Sequence, residues 1–337
     1  MITVTLYRKN ECEECEEVQG FLNEIQEFHP HRLAVVNVDA MEGGDHLGAK
    51  TKYPYIKTGP YVIHSPFNKM DLQVAIGAST DRAIHLESIG DQNYQKRIER
   101  GRKVTGTDRF SFWLSKYLML LISFFIFLYA GLPFLAPVLM KENSIAPAKV
   151  IYAIYSPLCH QLAFRSWFLF GEQPFYPRSL AGLSDFKTFE EETGIPSTEI
   201  FAAREFIGNE KVGYKVALCE RDTAIYGSMF LFSIFFMVTG KRLKTIPWYL
   251  WIVFGLIPIG LDGFSQLPGL SNGLLPAWVP LRESTPLLRV ITGTLFGGST
   301  AWYLFPMIEE SMRETRHFLA SKMVIADQIS SGDGNQG

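Results

Sequence analysis

Cysteine is scarce: four residues among 337, at Cys12, Cys15, Cys159 and Cys219. So few exclude a disulfide-built scaffold, and two close residues with two distant ones describe two separate sites. An excess of one charge is missing too. The 32 Lys and Arg are opposed by 34 Asp and Glu, which leaves no electrostatic footprint for nucleic acid. The N-terminal stretch lacks a basic start followed by an apolar core. A cleaved signal peptide is therefore not expected, and membrane entry must come from internal segments. Internal repeats are absent. The one biased tract, Ser330 to Gly337, is rich in Ser, Gly and Asp and is expected to be disordered.

What the chain does hold is divided unevenly along its length, which suits about two domains. Residues 1–110 are charged and mixed, whereas long apolar runs follow. Tyr117 to Met140, Thr223 to Gly240, Thr245 to Leu261 and Val290 to Ile308 are each apolar enough to enter a bilayer. Val150 to Phe164 is uncharged but short, and is open between a span and a re-entrant or interfacial helix. The reading is an all-α polytopic membrane domain of four or five spans over residues 111–312, with a polar insertion at 171–218 and a polar tail at 313–337.

Basic residues orient these spans. Lys96, Arg97, Arg100, Arg102, Lys103 and Arg109 form a basic linker over residues 81–110. With four spans, the loop holding Lys241, Arg242 and Lys244 and the segment after the last span, with Arg313, Arg316 and Lys322, share the linker's side. Positive residues favour the cytoplasm, so four spans place the N-terminal domain inside a cytoplasmic (inner) membrane. Five spans would face both later basic segments outward.

At the N-terminus, Ile2 to Tyr7 reads as a strand, and Val18, Phe21, Leu22, Ile25 and Phe28 repeat at helical spacing. Leu33 to Val38 is a nearly continuous apolar run, as in a central strand. Cys12-Glu13-Glu14-Cys15 lies between the first strand and the helix. This βαβ context turns a four-residue motif into a redox candidate. With Pro54 preceding a further strand and a helix near Asp71 to Ile76, residues 1–80 resemble the glutaredoxin-like branch of the thioredoxin fold. The resemblance implies an α/β thioredoxin-like domain. In it Cys12 attacks, Cys15 resolves the mixed disulfide, and Pro54, a cis-proline in that family, packs against the pair. Glu11, Glu13, Glu14, Glu16 and Glu17 depart from a favourable setting, because carboxylates oppose the thiolate that a helix N-terminus favours. A docking module without redox activity stays open.

A second set of polar residues interrupts the apolar half. Ionisable groups at a helix centre in a membrane cost about 2.5–3.5 kcal/mol each, so those beside apolar runs are functional candidates. The motifs are Cys159-His160-Gln161 with Arg165, Cys219-x-Arg221-Asp222, Asp262 with Gln266, and Arg282-Glu283-Ser284 with Arg289. In this order, over roughly residues 147–308, they resemble a family of small bacterial and archaeal membrane proteins, DUF2085. That resemblance implies a membrane domain and supplies motifs, not an activity. The family's second motif usually reads Cys-x-Arg-Cys, and Asp222 replaces its last cysteine.

Three uses of the cluster remain open. Cys159 and Cys219 form a redox pair, or Cys159, His160, Cys219 and Asp222 hold zinc, or both cysteines simply pack. Neighbours in a helix point about 100° apart, so Cys159 and His160 can share a metal only where the helix breaks, and Pro157 supplies a break. Arg221, Arg282 and Arg289 balance Asp222, Asp262 and Glu283, and Asp262 is expected to pair with Arg289. The expected function is thiol–disulfide exchange at the membrane by Cys12 and Cys15, with Cys159 and Cys219 as the partner pair where five spans put them on the same side, and with a protein or small-thiol partner. The alternative is a non-enzymatic membrane protein with a metal-binding or structural polar cluster and a docking head.

Overall fold

A computed structural model describes residues 1–40, 52–266 and 282–333. The chain divides into two compact units, one of Met1–Leu118 with Glu310–Gly337 and one of Met119–Glu309.

The first unit is α/β. Strand β1 (Thr3–Arg8) leads into helix α1 (Glu13–Phe28), then β2 (Arg32–Asn37), β3 (Tyr55–Thr58), β4 (Tyr61–His64), α2 (Lys69–Ser88) and α3 (Gln92–Arg102). The sheet order is β2-β1-β3-β4, with β1 and β2 parallel and the other pairs antiparallel. Alternation sends Val4, Leu6 and Ile56 to one face. There they meet Val18, Leu22 and Ile25 of α1 and Leu72 and Ile76 of α2. The α1 positions recur every three or four residues, which keeps them on one helical stripe.

On the other face, Tyr7, Val36 and Val38 pack with Val324 and Ile325, and Tyr7 stacks on its cross-strand partner Tyr55 at 4.4 Å. The strand read as central is an edge strand. Its apolar run reflects cover rather than position. The amide of Gln328 donates to Val35 O at 2.8 Å and accepts from Val35 N at 3.0 Å, so it fills the open edge.

The second unit is mainly helical. Helix α4 (Gly106–Lys141) enters it, followed by α5 (Ile145–Tyr155), α6 (Phe189–Thr193), α7 (Ile200–Glu205) and α8 (Glu220–Val238). Helix α9 (Trp248–Phe264), with a π-helical turn at Ile252–Leu256, and α10 (Pro286–Asp333) complete it. Only α4 and α8 are long and apolar enough, among the described residues, to count as candidate spans on length and composition. Small residues set the distance between α8 and α10. A Cβ on Gly297 would lie 2.2 Å from Ile225 O, and one on Gly293 would lie 2.7 Å from Arg221 O. Helix α10 continues through Ser330 to Asp333, into the tract read as disordered; residues 334–337 of that tract lie outside the described residues.

The polar insertion is folded, so all-α holds for the long elements but not for the whole domain. Strands β5 (Ser166–Leu169), β6 (Gly208–Asn209) and β7 (Gly213–Cys219) form an antiparallel sheet of order β5-β7-β6. Phe164, Phe168, Tyr176, Phe189, Ala203 and Val212 make its core. Helix α7 starts at Ile200 without a side-chain cap, although Ser197, Thr198 and Glu199 precede it. The capping box sits earlier instead, between Thr188 and Glu191 at the start of α6.

Candidate functional site: two cysteine centres and an arginine–carboxylate network

Cys12 is the N-cap of α1, its sulfur accepting from Cys15 N at 3.2 Å, and the two cysteines are joined in a disulfide. Cys12 is half-buried and Cys15 fully buried, so access falls on Cys12. Three carboxylates, Glu13, Glu14 and Glu16, occupy the first turn. Arg8 faces Glu16 at 3.8 Å, and Glu14 accepts from Ser65 Oγ at 3.3 Å. Ser65 N in turn donates to Pro54 O at 3.1 Å. Pro54, buried and preceded by a cis peptide bond, is thereby tied through Ser65 to the turn between the cysteines.

The second centre forms where α5 stops. The helix ends at Tyr155, and the chain turns so that Cys159 N bonds Tyr155 O at 3.0 Å. Gln161 adopts a left-handed conformation, φ 52°. Its buried side chain donates to Tyr152 O and Ala217 O, which locks this turn onto β7. Cys219, last in β7, is the N-cap of α8 and accepts from Asp222 N. Its own N–H donates to Cys159 Sγ at 3.3 Å. The ligand atoms of Cys159, Cys219 and Asp222 lie within 4.8 Å of one another, and both cysteines are free. His160 is exposed and stands outside this group. The break at Pro157 does occur, yet the turn buries Cys159 and sends its neighbour outward.

The two thiols are unequal. Cys219 donates its proton to Cys159, which with burial pushes the Cys219 thiol well up. The Cys159 thiol is lowered by that same hydrogen bond and by the Gln161 backbone, against burial and Asp222. The pair thus has a built-in direction, with Cys159 the more acidic thiol and Cys219 the less acidic one.

The remaining motif residues form two ion groups that differ from the expected pairing. Asp262 binds Arg221, with Arg282 at 3.6 Å and Ser284 Oγ at 3.1 Å. Gln266 donates to the Asp262 carbonyl at 2.6 Å. Arg289 instead joins Glu220 at 3.0 Å and Glu283. Glu283 also takes a bidentate pair from Arg165, both bonds 2.8 Å, and Arg178 at 3.2 Å. Burial alone would raise the Glu283 carboxyl, but Arg165, Arg289 and Arg178 hold it below the ordinary range. Asp222 sits with the thiols rather than the arginines.

Glu220, Arg178, Lys215 and Glu309 are among the buried ionic residues that sequence reasoning missed. Glu220 lies inside a recognised motif, and its charge beside an apolar run was a usable signal. Lys215 and Arg178 lie in the insertion, whose core had no detected period.

The model of a family described as predicted membrane proteins, DUF2085, matches residues 208–303, which include Cys219, Arg221, Asp222, Asp262, Gln266, Arg282, Glu283 and Arg289. An uncharacterised curated protein of Methanocaldococcus jannaschii is 30% identical over 203 residues, covering 58% of this chain and 93% of its own length. No solved structure matches. The motif order, the helical domain that carries it and this near-complete coverage of a relative agree, and the chain belongs to the DUF2085 family of membrane proteins.

Proposed function

We propose that this protein is a membrane-bound thiol–disulfide exchanger whose active pair is Cys12 and Cys15 on a thioredoxin-like head. The observation that carries the reading is a Cys-x-x-Cys disulfide at a helix N-terminus, one sulfur accessible and the other buried. In the reduced head, the Cys12 thiolate attacks one sulfur of a substrate disulfide and displaces the other as a thiolate. Cys15 then attacks Cys12, forms the Cys12–Cys15 disulfide and releases the substrate as a dithiol. Pro54, tied to the same turn, would position the substrate.

Four spans suit the domain best: α4, α8, α9 and the first part of α10. Helix α5 has 11 residues and rises about 16 Å, about half of a bilayer core. Cys159 packs against Leu139 and Met140 near the end of α4. At the other end of the second unit, Lys241 meets Glu309 at 3.3 Å and Trp302 bonds Lys244 O. With the basic end in the cytoplasm, Cys159 and Cys219 face outward, away from the side that holds the head.

A second reading rests on the three converging ligand atoms. Cys159, Cys219 and Asp222 would supply three of the four positions that zinc takes, and zinc would then add a Lewis acid or a structural clip.

One set of preparations tests both. The reduced full chain should reduce a small disulfide, and Cys12→Ser should abolish that turnover. Cys15→Ser should accumulate the mixed disulfide. Turnover unchanged by Cys12→Ser would refute the exchanger. Metal analysis should find zinc in Cys12→Ser but not in Cys219→Ser if the second reading holds. Zinc absent from both sinks it.

A further inference from the structure

Lys215 is an anomaly of charge. Its ammonium is buried at 1% exposure and donates to the carbonyl oxygens of Gln161, at 2.9 Å, and Arg204. No carboxylate pairs with it among the described residues. Burying an ion without a counter-charge is costly, and here burial drives its pKa down to about 7, with Cys159 opposing and Arg204 adding to the fall.

Lys215 forms part of the wall of a cavity of about 400 Å³ between α5, α7 and β7. The Arg204 guanidinium lies on the same wall. Its Nη2 is held by Ser156 O and Oγ, at 2.8 and 2.6 Å. Its other N–H groups bond no described residue. Glu205 is the one carboxylate in the lining, and Phe201 and Ala153 supply an apolar side. With Lys215 protonated, two cations against one carboxylate leave the walls one positive charge in excess.

We infer that this cavity binds a small organic monoanion, a carboxylate with a short apolar or aromatic body. With Nη2 occupied by Ser156, Arg204 offers the carboxylate single N–H donors from Nε and Nη1. Lys215 supplies the compensating charge, and Phe201 covers the body. The volume lies within the range of small-molecule sites. A doubly charged phosphate would overshoot the excess and meet Glu205. This site is distinct from the thiol reading and does not depend on it.

The test uses the full chain carrying Cys12→Ser and Cys15→Ser, in detergent, titrated with benzoate by calorimetry. Benzyl alcohol serves as the uncharged control and inorganic phosphate as the dianion. Saturable benzoate binding is expected, weaker by at least tenfold in Lys215→Met and in Arg204→Gln. Ala153→Phe, which keeps both cations and fills the space, should remove it. Phosphate should bind more weakly than benzoate, and benzyl alcohol not at all. Benzoate affinity unchanged in both Ala153→Phe and Lys215→Met overturns the site. So does an absence of saturable binding to the parent chain. Gel filtration of each variant establishes that it is folded, and Arg204→Gln carries the test if Lys215→Met is not.

Discussion

Glu283 concentrates more charge than any other described side chain, since one buried carboxylate satisfies Arg165, Arg178 and Arg289. Removing one partner from a buried ion cluster costs about 3–5 kcal/mol, because the remaining charges stay desolvated. Glu283→Gln keeps the shape but leaves three guanidinium groups facing a neutral amide. Its thermal unfolding midpoint in detergent should fall steeply, whereas Lys187→Gln, which removes an exposed lysine from Glu172 and leaves Glu192 paired with Lys211, should shift stability by no more than about 0.5 kcal/mol. Equal stability of the two variants would mean that the network is dispensable. At this scale, the sequence identifies the participants better than their partners. Asp262 and Arg289 fall in two separate ion groups, one with Arg221 and Arg282 and the other with Glu220 and Glu283. Which arginine meets which carboxylate depends on helix rotation and on the burial of Glu220, and neither is set by order along the chain. His160 shows the same limit, since a turn separates it from the adjacent Cys159.

Between elements, α8 and α10 meet through glycine. Gly297 admits Ile225 O where a methyl group would collide, while a Cβ at Gly298, one residue on, meets nothing within 4 Å. Gly297→Ala should therefore destabilise by about 1–3 kcal/mol through overpacking. Gly298→Ala should be neutral or stabilising by up to about 1 kcal/mol, since it only restores helix propensity. The pair is read by thermal unfolding with far-ultraviolet dichroism. Similar behaviour of the two variants would contradict the packing described. Elements with a clear period, such as α1 with Val18, Leu22 and Ile25, were legible in the sequence. So were the apolar runs now within α4 and α8. The sheet of the insertion was not, because β6 has two residues and β7 is covered on both faces, which erases the alternation that marks a strand.

For the whole molecule, sidedness is the property that separates the candidate activities. In intact cells, a membrane-impermeant maleimide should label single-cysteine chains at Cys159 or Cys219 from outside, after denaturation or chelation if they are shielded. Cys12 should react only in inverted vesicles. Labelling of Cys159 solely in inverted vesicles would overturn the four-span arrangement and place both cysteine centres on one side. The division of the chain carries a different consequence, one of timing. The unit holding Cys12 includes Glu310–Gly337 as well as Met1–Leu118. Val324, Ile325 and Gln328, which cover one sheet face and close its edge, are made after the whole of the second unit. At about 5–20 residues per second, the roughly 190 residues in between take on the order of 10–40 s to synthesise. During biosynthesis the nascent sheet waits with a bare flank until the helices of the second unit have been made, so the head is completed only after them.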